Sequence, residues 1–389
     1  MKVLQVHNSY RHFGGEDVVA NLEYELLKRN DICAEQLLFN NETLSLTDLF
    51  YSKASYKKLE SVIKKRKPDV IHVHNLFYKA SPSILQCAKD HNIPVVLTLH
   101  NYRLICPNGL LLRDGKPCVK CVNKSFPISA IKYSCFQESK SKTLALSLSL
   151  TYHNKMQTWN KLVDKFIVLT PFAKKTFMDS ALNIDERKII VKPNSIDDFN
   201  NEINDKRKDY VFIGRLSSEK GIQVAVEAFN QLRHINLHII GSGPLEKSLK
   251  AQANKNVIFH GIKDRAFIKN ILPQSKALIF PSLCYEGLPN TIIEAFSSGT
   301  PVIYSNNDNV NTIVENNKTG LSFKTGNIKS LTETILNFEN LKDSKLNTNA
   351  REKYLTNYTH KKNILSLLKI YEEAIGANEE NRYIKPANK

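Results

Sequence analysis

The sequence predicts an α/β protein built from two doubly wound parallel-sheet domains that face a cleft. Short apolar segments alternate with helix-like segments along both halves of the chain, and this alternation is typical of βαβ units and parallel sheets. It stops near residue 192 and restarts at residue 209, after a polar and charged stretch. The length of 389 residues also suits two or three domains. We therefore predict a first domain at 1–192, a linker at 193–208 and a second domain at 209–359.

Composition and charge narrow the function classes without choosing one. The chain is 42% hydrophobic, enough for a sizeable core, and contains no run of 18 apolar residues that would predict a membrane-spanning helix. It begins with a strand pattern and lacks the apolar region of a secretory signal, so we expect a cytoplasmic protein. The net charge of +17 favours nucleic acid, anionic lipid or phosphorylated ligands as partners.

The first half reads as a series of strands and helices. Strands are predicted at 2–7, 34–38, 69–73, 94–99 and 166–169, and helices at 17–28, 53–65 and 81–91. Gly14 and Gly15 precede the first helix, where glycine lets the backbone approach a phosphate closely. They do not form G-x-G-x-x-G, which weakens a dinucleotide interpretation, and a simple turn is the alternative.

A histidine follows the fourth predicted strand. His100 falls at the carboxyl end of the strand at 94–99, the edge where open α/β sheets bind ligands. The alternative is a structural or surface histidine.

Two segments of the first half are strongly basic. Residues 116–175 contain eleven lysines against two acids, interleaved with leucine, isoleucine and aromatic side chains, and 53–67 contains seven basic residues against one acid. Such runs are often solvated faces. The functional alternative is an attraction to anionic lipid headgroups beside a partly buried apolar surface.

The second half repeats the alternation. Strands are predicted at 209–213, 236–240, 257–259, 277–280 and 300–304, and helices at 221–232, 244–253 and 289–298. Arg215 and Lys220 flank the turn between the first strand and helix, so both can point at one anion, although a solvated basic loop is the alternative. Gly241 lies in a further glycine turn before a helix.

The segment 281–296 carries two acids around a predicted helix start. Glu286 falls in the loop after the strand at 277–280, Pro289 is the predicted first helical residue, and Glu294 lies one to two turns inside the helix on the same face as Asn290. A helix N-terminus suits a phosphate, and carboxylates beside it suit the hydroxyls of a sugar or ribose. The alternative is a surface acid and a helix-face acid.

These motifs carry a family resemblance. The residues Pro281-Ser282 and Glu286-Gly287-Leu288-Pro289, with the E-x7-E spacing to Glu294, resemble the signature of retaining glycosyltransferases of the GT-B fold, especially family four. The run Gly214-Arg215-Leu216 followed by Glu219-Lys220-Gly221 closely resembles a second motif of that family. The resemblance covers nearly the whole chain, and its most specific motifs lie in 209–303.

The resemblance implies the GT-B fold, with two Rossmann-like domains, and a nucleotide-diphosphate sugar as donor. It implies that Arg215 and Lys220 neutralise the leaving diphosphate, that Glu286 holds the sugar, and that Glu294 holds the ribose. It places His100 at the sugar and acceptor site, although Asn101 follows it where many members have an acid. Glu286 and His100 are thus the expected catalytic residues, and the expected substrate-binding residues besides Arg215, Lys220 and Glu294 are Gly14, Gly15, Gly241, Ile262, Gly287, Leu288 and Asn290.

The resemblance also implies partners and a C-terminal arrangement. No divalent metal or other cofactor is expected for catalysis, and a helix at 360–376 is expected to pack back on the first domain, with a loose tail at 377–389. We expect a lipid-linked or growing surface glycan as acceptor, as in bacterial surface-polysaccharide assembly, and contact with the inner face of the cell membrane.

Two other functions remain open at this point. A sugar-nucleotide epimerase of the GT-B fold would act without any acceptor. A non-enzymatic nucleic-acid-binding protein would suit the net charge, but we find no nucleic-acid-binding motif and no interleaved stacking platform, and we therefore expect no nucleic-acid partner.

Four cysteines cluster within the first domain. Cys106, Cys118, Cys121 and Cys135 follow the spacing C-x11-C-x2-C-x13-C in a segment with little predicted regular structure. Four thiolates would suit a structural zinc ion. The alternatives are buried thiols without a metal, and a disulfide or redox pair, which is less expected in a cytoplasmic protein.

Overall fold

The computed structural model describes residues 1–9, 14–41, 46–199, 207–341 and 345–384. The chain forms two compact units. The first unit comprises Met1–Leu110, Val119–Asn194 and Lys361–Lys389, and the second comprises Leu111–Cys118 and Ser195–His360. The division at Asn194 falls inside the predicted linker. Residues 10–13 of the first glycine loop, 200–206 of that linker and 385–389 of the predicted tail lie outside the described residues.

The first 194 residues alternate strands and helices. The strands are β1 (Lys2–Ser9), β2 (Cys33–Asn40), β3 (Val70–Asn75), β4 (Val95–Leu99), β5 (Leu112–Arg113), β6 (Lys116–Pro117), β7 (Lys165–Val168) and β8 (Ile189–Val191). The helices are α1 (Gly15–Arg29), α2 (Lys53–Arg66), α3 (Ser83–Asp90), α4 (Ile128–Lys132), α5 (Lys140–Lys155), α6 (Thr158–Leu162) and α7 (Pro171–Met178), with 3-10 turns at Leu46–Leu49 and Glu186–Lys188.

The first unit is organised on one parallel sheet with the strand order β2-β1-β3-β4-β7-β8. The central strands β3 and β4 are buried along their whole length, as expected for a sheet covered on both faces. Capping residues mark the starts of some helices. Thr170 caps α7 by accepting a hydrogen bond from Ala173 N, and Pro171 occupies its first turn. The small antiparallel pair of β5 and β6 belongs to the second unit.

The second unit holds the remaining strands and most remaining helices. The strands are β9 (Tyr210–Ile213), β10 (Leu237–Ile240), β11 (Val257–Gly261), β12 (Ala277–Phe280), β13 (Val302–Ser305) and β14 (Gly320–Phe323). The helices are α8 (Ile222–Gln231), α9 (Glu246–Gln252), α10 (Arg265–Gln274), α11 (Asn290–Ser297), α12 (Asp308–Asn311), α13 (Ile328–Glu339) and α14 (Leu346–Asn357), with a 3-10 turn at Ser218–Lys220. Its sheet is parallel, in the order β11-β10-β9-β12-β13-β14. The two predicted doubly wound sheets are thus confirmed, whereas the cleft between them stays a prediction.

The last helix, α15 (His360–Ile384), packs on the first unit's sheet. Its residues Ile364, Leu367, Ile370 and Tyr371 join Val3, Val70, Val96 and Ile167 in one buried cluster. The helix runs on to Ile384, so its predicted end at 376 and the start of the loose tail at 377 are wrong. The sequence does not predict the helical turns after residue 376, because that stretch is polar and has no apolar periodicity.

The strand orders decide which loops can meet. In the second sheet β10 lies on one side of β9 and β12 on the other, so the direction of winding reverses between β9 and β12. Ligands of doubly wound sheets bind outside the carboxyl ends of the strands at such a reversal. The loops that follow β9 and β12 therefore form the expected binding edge of the second unit. The corresponding reversal in the first sheet lies between β1 and β3.

Helix α11 begins one residue later than predicted. Pro289 is its N-cap, with an extended backbone, rather than its first helical residue. At the other end the predicted stop at Gly299 is confirmed. Gly299 has φ +66°, its N–H donates to Phe296 O at 3.0 Å, and Thr300 N–H donates to Ala295 O at 2.8 Å, which is the Schellman arrangement.

Candidate functional site

The loops after β9 and β12 lie backbone against backbone. Gly221 ends the first loop with φ +65°, and a Cβ at this position would lie 2.0 Å from the carbonyl oxygen of Pro281. Leu283 N–H donates to Glu219 O at 2.9 Å across the same contact. Only glycine fits at 221, because any side chain would push the two loops apart.

This contact brings together a predicted phosphate-binding lysine and a predicted sugar-binding acid. Lys220 Nζ lies 2.7 Å from Glu286 Oε2, and Ser282 Oγ donates to Glu286 Oε1 at 2.9 Å. The side-chain amide of Asn309 donates to the Glu286 backbone carbonyl. Glu286 is therefore held at its carboxylate and at its backbone, which fixes its position at the strand edge.

Lys220 is charged in this setting. Burial favours the neutral amine, but the carboxylate of Glu286, with smaller contributions from Cys284 and Glu219, outweighs it and raises the pKa of Lys220 above its usual value. The site thus contains a fixed positive charge and a fixed negative charge in contact.

Arg215 lies on the same loop without such a partner. Its side chain is exposed, and no carboxylate among the described residues lies within 4.0 Å of it. The loop after β10 supports it from the other side, where Leu216 N–H donates to Ser242 O at 2.9 Å. Gly241 has φ +131° there, and a Cβ on it would lie 2.0 Å from Gly214 O. The guanidinium is therefore available to an anionic ligand.

Helix α11 carries the second acid of the pair. Glu294 lies in its second turn, one turn beyond Asn290. Burial raises the pKa of Glu294 to about 7, with Arg265 opposing the rise and Asp197 adding to it. Asp197 is itself held, at 3.0 Å by Arg265 and at 2.7 Å by His360. A carboxyl with so high a pKa is a common feature of binding and catalytic sites.

The remaining predicted residues of the second unit surround the same edge. Gly287 and Leu288 precede α11, and the Leu288 side chain is buried. Ile262 directly follows β11 and is 78% exposed, which leaves an apolar side chain free to pack against a flat ring at the strand ends.

In the first unit the predicted glycine loop is partly occupied by its own helix. Gly14 is the N-cap of α1, and its N–H donates to Asp17 Oδ2 at 2.8 Å. The other Asp17 oxygen lies 2.8 Å from Nε2 of His7. Among the residues that the structure describes, no atom would lie within 4 Å of a Cβ placed on Gly15. Gly15 is exposed, whereas Gly14 is half-buried.

His100 lies just beyond the end of β4 and is part of a buried polar network. Its Nε2 lies 3.0 Å from Nδ1 of His74, and Nε2 of His74 lies 2.8 Å from the side-chain amide nitrogen of Gln5. Glu23 and Lys192 form a fully buried ion pair beside His74. The motifs of the sequence do not point to His74, Glu23 or Lys192. The alternating His72 and His74 on one face of β3 was the signal that could have pointed to the network.

The cysteine hypothesis gains no support from the geometry. Cys106 is buried and donates to Asn108 Oδ1 at 3.0 Å, while Cys118, Cys121 and Cys135 are half-buried. Glu23, His72 and His74 instead form the group of side chains that could hold a metal ion in the described ranges. Their donor atoms all lie within 4.8 Å of one another. A structural zinc held by the cysteines stays a prediction.

Comparisons with known proteins agree with this arrangement. Residues 191–369 match the profile of the family described as "Glycosyl transferases group 1", and residues 39–198 match the profile of "Glycosyltransferase Family 4". The first match contains Arg215, Lys220, Glu286 and Glu294, and the second contains His100.

Two curated relatives span much of the chain. An uncharacterised glycosyltransferase of Methanocaldococcus jannaschii is 28% identical over 306 residues, covering 72% of this chain and 66% of that protein. An Escherichia coli protein named UDP-Gal:alpha-D-GlcNAc-diphosphoundecaprenol alpha-1,3-galactosyltransferase is 27% identical over 349 residues, covering 82% of this chain and 78% of that protein. The chain thus spans slightly less than two thirds of the first relative.

The fold is shared with solved structures. HepE of Anabaena, crystallised with UDP, superposes with a TM-score of 0.68 at 17% sequence identity, covering 95% of this chain and 99% of HepE. A glycosyltransferase of Rickettsia africae gives a TM-score of 0.67, also at 17% identity. The two family matches together span residues 39–369, and the two parallel sheets agree with the fold of these structures. The chain therefore belongs to the family-four glycosyltransferases of the GT-B fold.

Proposed function

We propose that this glycosyltransferase takes a sugar from a nucleotide-diphosphate donor, with retention of configuration and without a divalent metal, and transfers it to a lipid-linked or growing surface glycan. The observation that carries the proposal is the Lys220–Glu286 contact of 2.7 Å beside the exposed Arg215. It places two cations and one fixed carboxylate at the edge where a doubly wound sheet binds nucleotides.

The cations would stabilise the departing diphosphate. A fork of guanidinium donors on Arg215 and a point charge on Lys220 can together neutralise the negative charge that develops as the bond to the sugar breaks. The N-terminus of α11 adds partial positive charge to that of the two side chains. Because these groups can supply the charge that a divalent cation supplies in other enzymes, we propose that the reaction is metal-independent.

Glu286 would orient the sugar. Its carboxylate already accepts from Lys220 and Ser282, and an ionised carboxylate has further lone pairs for two sugar hydroxyls. In the retaining reaction we propose, the bond between the anomeric carbon and the leaving phosphate oxygen breaks while the acceptor oxygen bonds to the same face of that carbon. The leaving phosphate oxygen takes the acceptor's proton, so no dedicated base is required.

Glu294 would hold the ribose of the donor. It stands one turn beyond Asn290 on α11, and burial raises its pKa to about 7. Two adjacent ribose hydroxyls are suitable donors to this carboxylate. Ile262 would then lie along the base.

The relatives support the choice of donor and acceptor. HepE has been crystallised with UDP and with UDP-glucose, and the E. coli relative is named for galactosyl transfer to a sugar on diphosphoundecaprenol. We propose a UDP-sugar as donor and a polyprenyl-diphosphate-linked glycan as acceptor, with His100 at the acceptor side of the reaction.

A lipid-linked acceptor calls for a membrane-facing surface, and α5 offers one. Leu144, Leu148 and Tyr152 follow one another at four-residue spacing and are 42%, 47% and 48% exposed. Exposed lysines stand beside this stripe at 140, 142 and 155. None of the helices in the described part of the chain combines the length and apolarity needed to cross a bilayer. We propose that the first unit binds anionic lipid through the α5 stripe, on the cytoplasmic face of the membrane.

The experiment is a thermal-shift screen against nucleotide sugars, followed by transfer to synthetic polyprenyl-diphosphate acceptors. We expect one UDP-sugar to stabilise the protein and to be consumed only when acceptor is present. NMR of the product should show the anomeric configuration of the donor. An inverted product would contradict the retaining mechanism, and interconversion of the sugar without acceptor would identify an epimerase instead.

A further inference from the structure

We propose that His74 fixes the tautomer of His100, so that His100 presents a protonated Nδ1 as a hydrogen-bond donor at the carboxyl edge of the first sheet. His74 is then a positioning residue, and His100 binds an oxygen of the substrate rather than removing a proton from it. Only the identity of that oxygen, on the transferred sugar or the acceptor glycan, rests on the proposed function.

The two rings are locked together. Nδ1 of His74 lies 3.0 Å from Nε2 of His100, and the rings are stacked with centroids 5.3 Å apart and planes inclined by 20°. Both residues are buried. Because one nitrogen of this contact must donate and the other must accept, the protonation of His74 decides that of His100.

The orientation of Gln5 decides the protonation of His74. The amide nitrogen of Gln5 lies 2.9 Å from the carbonyl oxygen of Ala20 and 2.8 Å from Nε2 of His74. A backbone carbonyl can only accept, so the NH₂ group of Gln5 must face both atoms. The Gln5 oxygen on the other side accepts from the Gln36 amide at 2.7 Å, which agrees with this orientation. Nε2 of His74 is therefore an acceptor.

The proton positions follow along the chain of contacts. With Nε2 accepting, a neutral His74 carries its proton on Nδ1 and donates it to Nε2 of His100. A neutral His100 then carries its own proton on Nδ1. Burial lowers the pKa of both rings, with neighbouring His72 lowering that of His74 further, so both are neutral at physiological pH.

A competing arrangement exists through Glu23. Its Oε2 lies 3.3 Å from Nε2 of His74 and has no hydrogen-bond partner within the described structure, so a proton on that nitrogen could be shared with it. The other oxygen of Glu23 is bound to Lys192, which already balances the charge. The competing arrangement would require the Gln5 amide to turn its oxygen toward Ala20 O. The contact geometry disfavours it, because two acceptors would then face each other.

The outward nitrogen of His100 is free for a ligand. Nδ1 makes no hydrogen bond to any residue in the described ranges. It is also not fully enclosed by the described residues, so a ligand atom can reach it. It stands immediately after β4, on the edge where parallel sheets bind ligands. A donor at this position suits a hydroxyl or ether oxygen of a sugar.

A second histidine pair in the chain serves as a matched control, because its contacts predict the opposite tautomer for the outer ring. His238 and His260 are stacked in the second unit, with Nδ1 of His238 2.8 Å from Nε2 of His260. Here Nε2 of His238 lies 3.2 Å from the carboxylate of Asp209, which can only accept. When neutral, His238 must therefore be protonated on Nε2, and Nε2 of His260 donates to it. The same pair geometry thus gives the opposite tautomer for the outer ring.

The test is long-range ¹H–¹⁵N NMR of protein labelled with ¹⁵N-histidine, with His100→Asn and His260→Asn identifying the signals. Protonated and unprotonated ring nitrogens have well-separated nitrogen shifts. We expect His100 to be protonated on Nδ1 and His260 on Nε2. A His100 ring protonated on Nε2 in the wild-type protein would overturn the proposal, whether or not the protein proves to transfer sugar.

Variants then link the tautomer to turnover. His74→Leu should let His100 populate both tautomers and lower kcat/KM by about tenfold, as for one lost hydrogen bond. His74→Gln keeps one donor and one acceptor and should restore both the Nδ1-protonated form and most of the activity. His72→Gln, on the same strand, should leave the His100 spectrum unchanged. Loss of activity in His74→Leu with an unchanged His100 tautomer would show a purely structural role and contradict the assignment.

Discussion

Lys220 and Glu286 are 66 residues apart in the chain, yet their charged groups lie 2.7 Å apart at the carboxyl edge of the second sheet. The contact exists because β9 and β12 are neighbours in the sheet and because Gly221 lets the following loops touch. In the proposed reaction, Lys220 would stabilise the leaving diphosphate and Glu286 would hold the sugar.

Replacing Arg215 with alanine should weaken the binding of a nucleoside diphosphate by roughly 2 kcal/mol, the cost of a charge-assisted hydrogen bond left unmade. Isothermal calorimetry with UDP measures this directly. Arg233→Ala is the matched control, since Arg233 is also exposed but precedes β10 at the opposite edge of the sheet. Equal losses in the two variants would point to net charge rather than to a specific contact.

Substitutions of Glu286 and Glu294 should affect different kinetic and binding parameters. Glu286→Gln is expected to lower turnover by roughly 10²-fold through misplacement of the sugar, with UDP affinity nearly unchanged. Glu294→Gln should instead weaken the affinity for UDP, because one ribose acceptor is lost. Calorimetry and initial-rate kinetics on both variants decide the matter. If the two variants show the same pattern, the division of roles is wrong.

Glu294 should make the ligand-free protein less stable as the pH rises. Its pKa is about 7 in the folded protein against a usual 4.5, so the folded state holds a proton that the unfolded state has released between those values. The contribution of the neutral Glu294 carboxyl to the free energy of unfolding is therefore largest below about pH 4.5. It falls as the pH rises toward 7, by at most roughly 3 kcal/mol.

Urea denaturation of Glu294→Gln at pH 5 and pH 8 measures this loss. The variant should gain stability relative to the wild type on going from the lower to the higher pH. Glu227→Gln, which changes an exposed acid on α8, should show no such gain. A parallel pH response of wild type and Glu294→Gln would mean that Glu294 titrates normally.

The α5 stripe should bind anionic membranes. Vesicles rich in anionic lipid are expected to sediment the protein at low salt and to release it at high salt, because screening weakens the attraction of lysines to headgroups. Leu148→Ser with Tyr152→Ser should reduce sedimentation by removing apolar surface. Leu355→Ser, at a similarly exposed leucine of α14, is the control. Equal binding to neutral vesicles would contradict an electrostatic contact.

The four cysteines are tested by elemental analysis of untagged protein. If they hold a structural zinc, about one zinc per chain should be found, and Cys118→Ser with Cys121→Ser should lose it and lower the melting temperature. Metal-free wild-type protein of full stability would remove the hypothesis and leave the glycosyltransferase assignment intact.

Much of the fold, and the position of the candidate site between strands and helices, could be predicted because the signals are local. The apolar segments that became β9, β10 and β12 and the helix that became α11 are recognisable from spacing alone, and so is the Gly299 stop. The loops with Arg215, Lys220 and Glu286 were placed correctly between a strand and a helix for the same reason. Where local signals faded, prediction failed: α15 continues through a polar stretch to Ile384, and Pro289 precedes its helix rather than starting it.

The order of the elements, the two-sheet architecture and the residue types at each strand end can be read from the amino-acid sequence. Which of those residues touch depends on how the strands pair and the helices pack. The alternating His72 and His74 can be read from β3, but the contact of His74 with His100 depends on β4 lying next to β3, and its direction depends on Gln5 of β1. The pKa of Glu294 likewise depends on burial beside Arg265 and Asp197, which are distant in the chain. The physical reason is that spacing and propensity act over a few residues, whereas pairing and burial are set by the packing of the whole sheet.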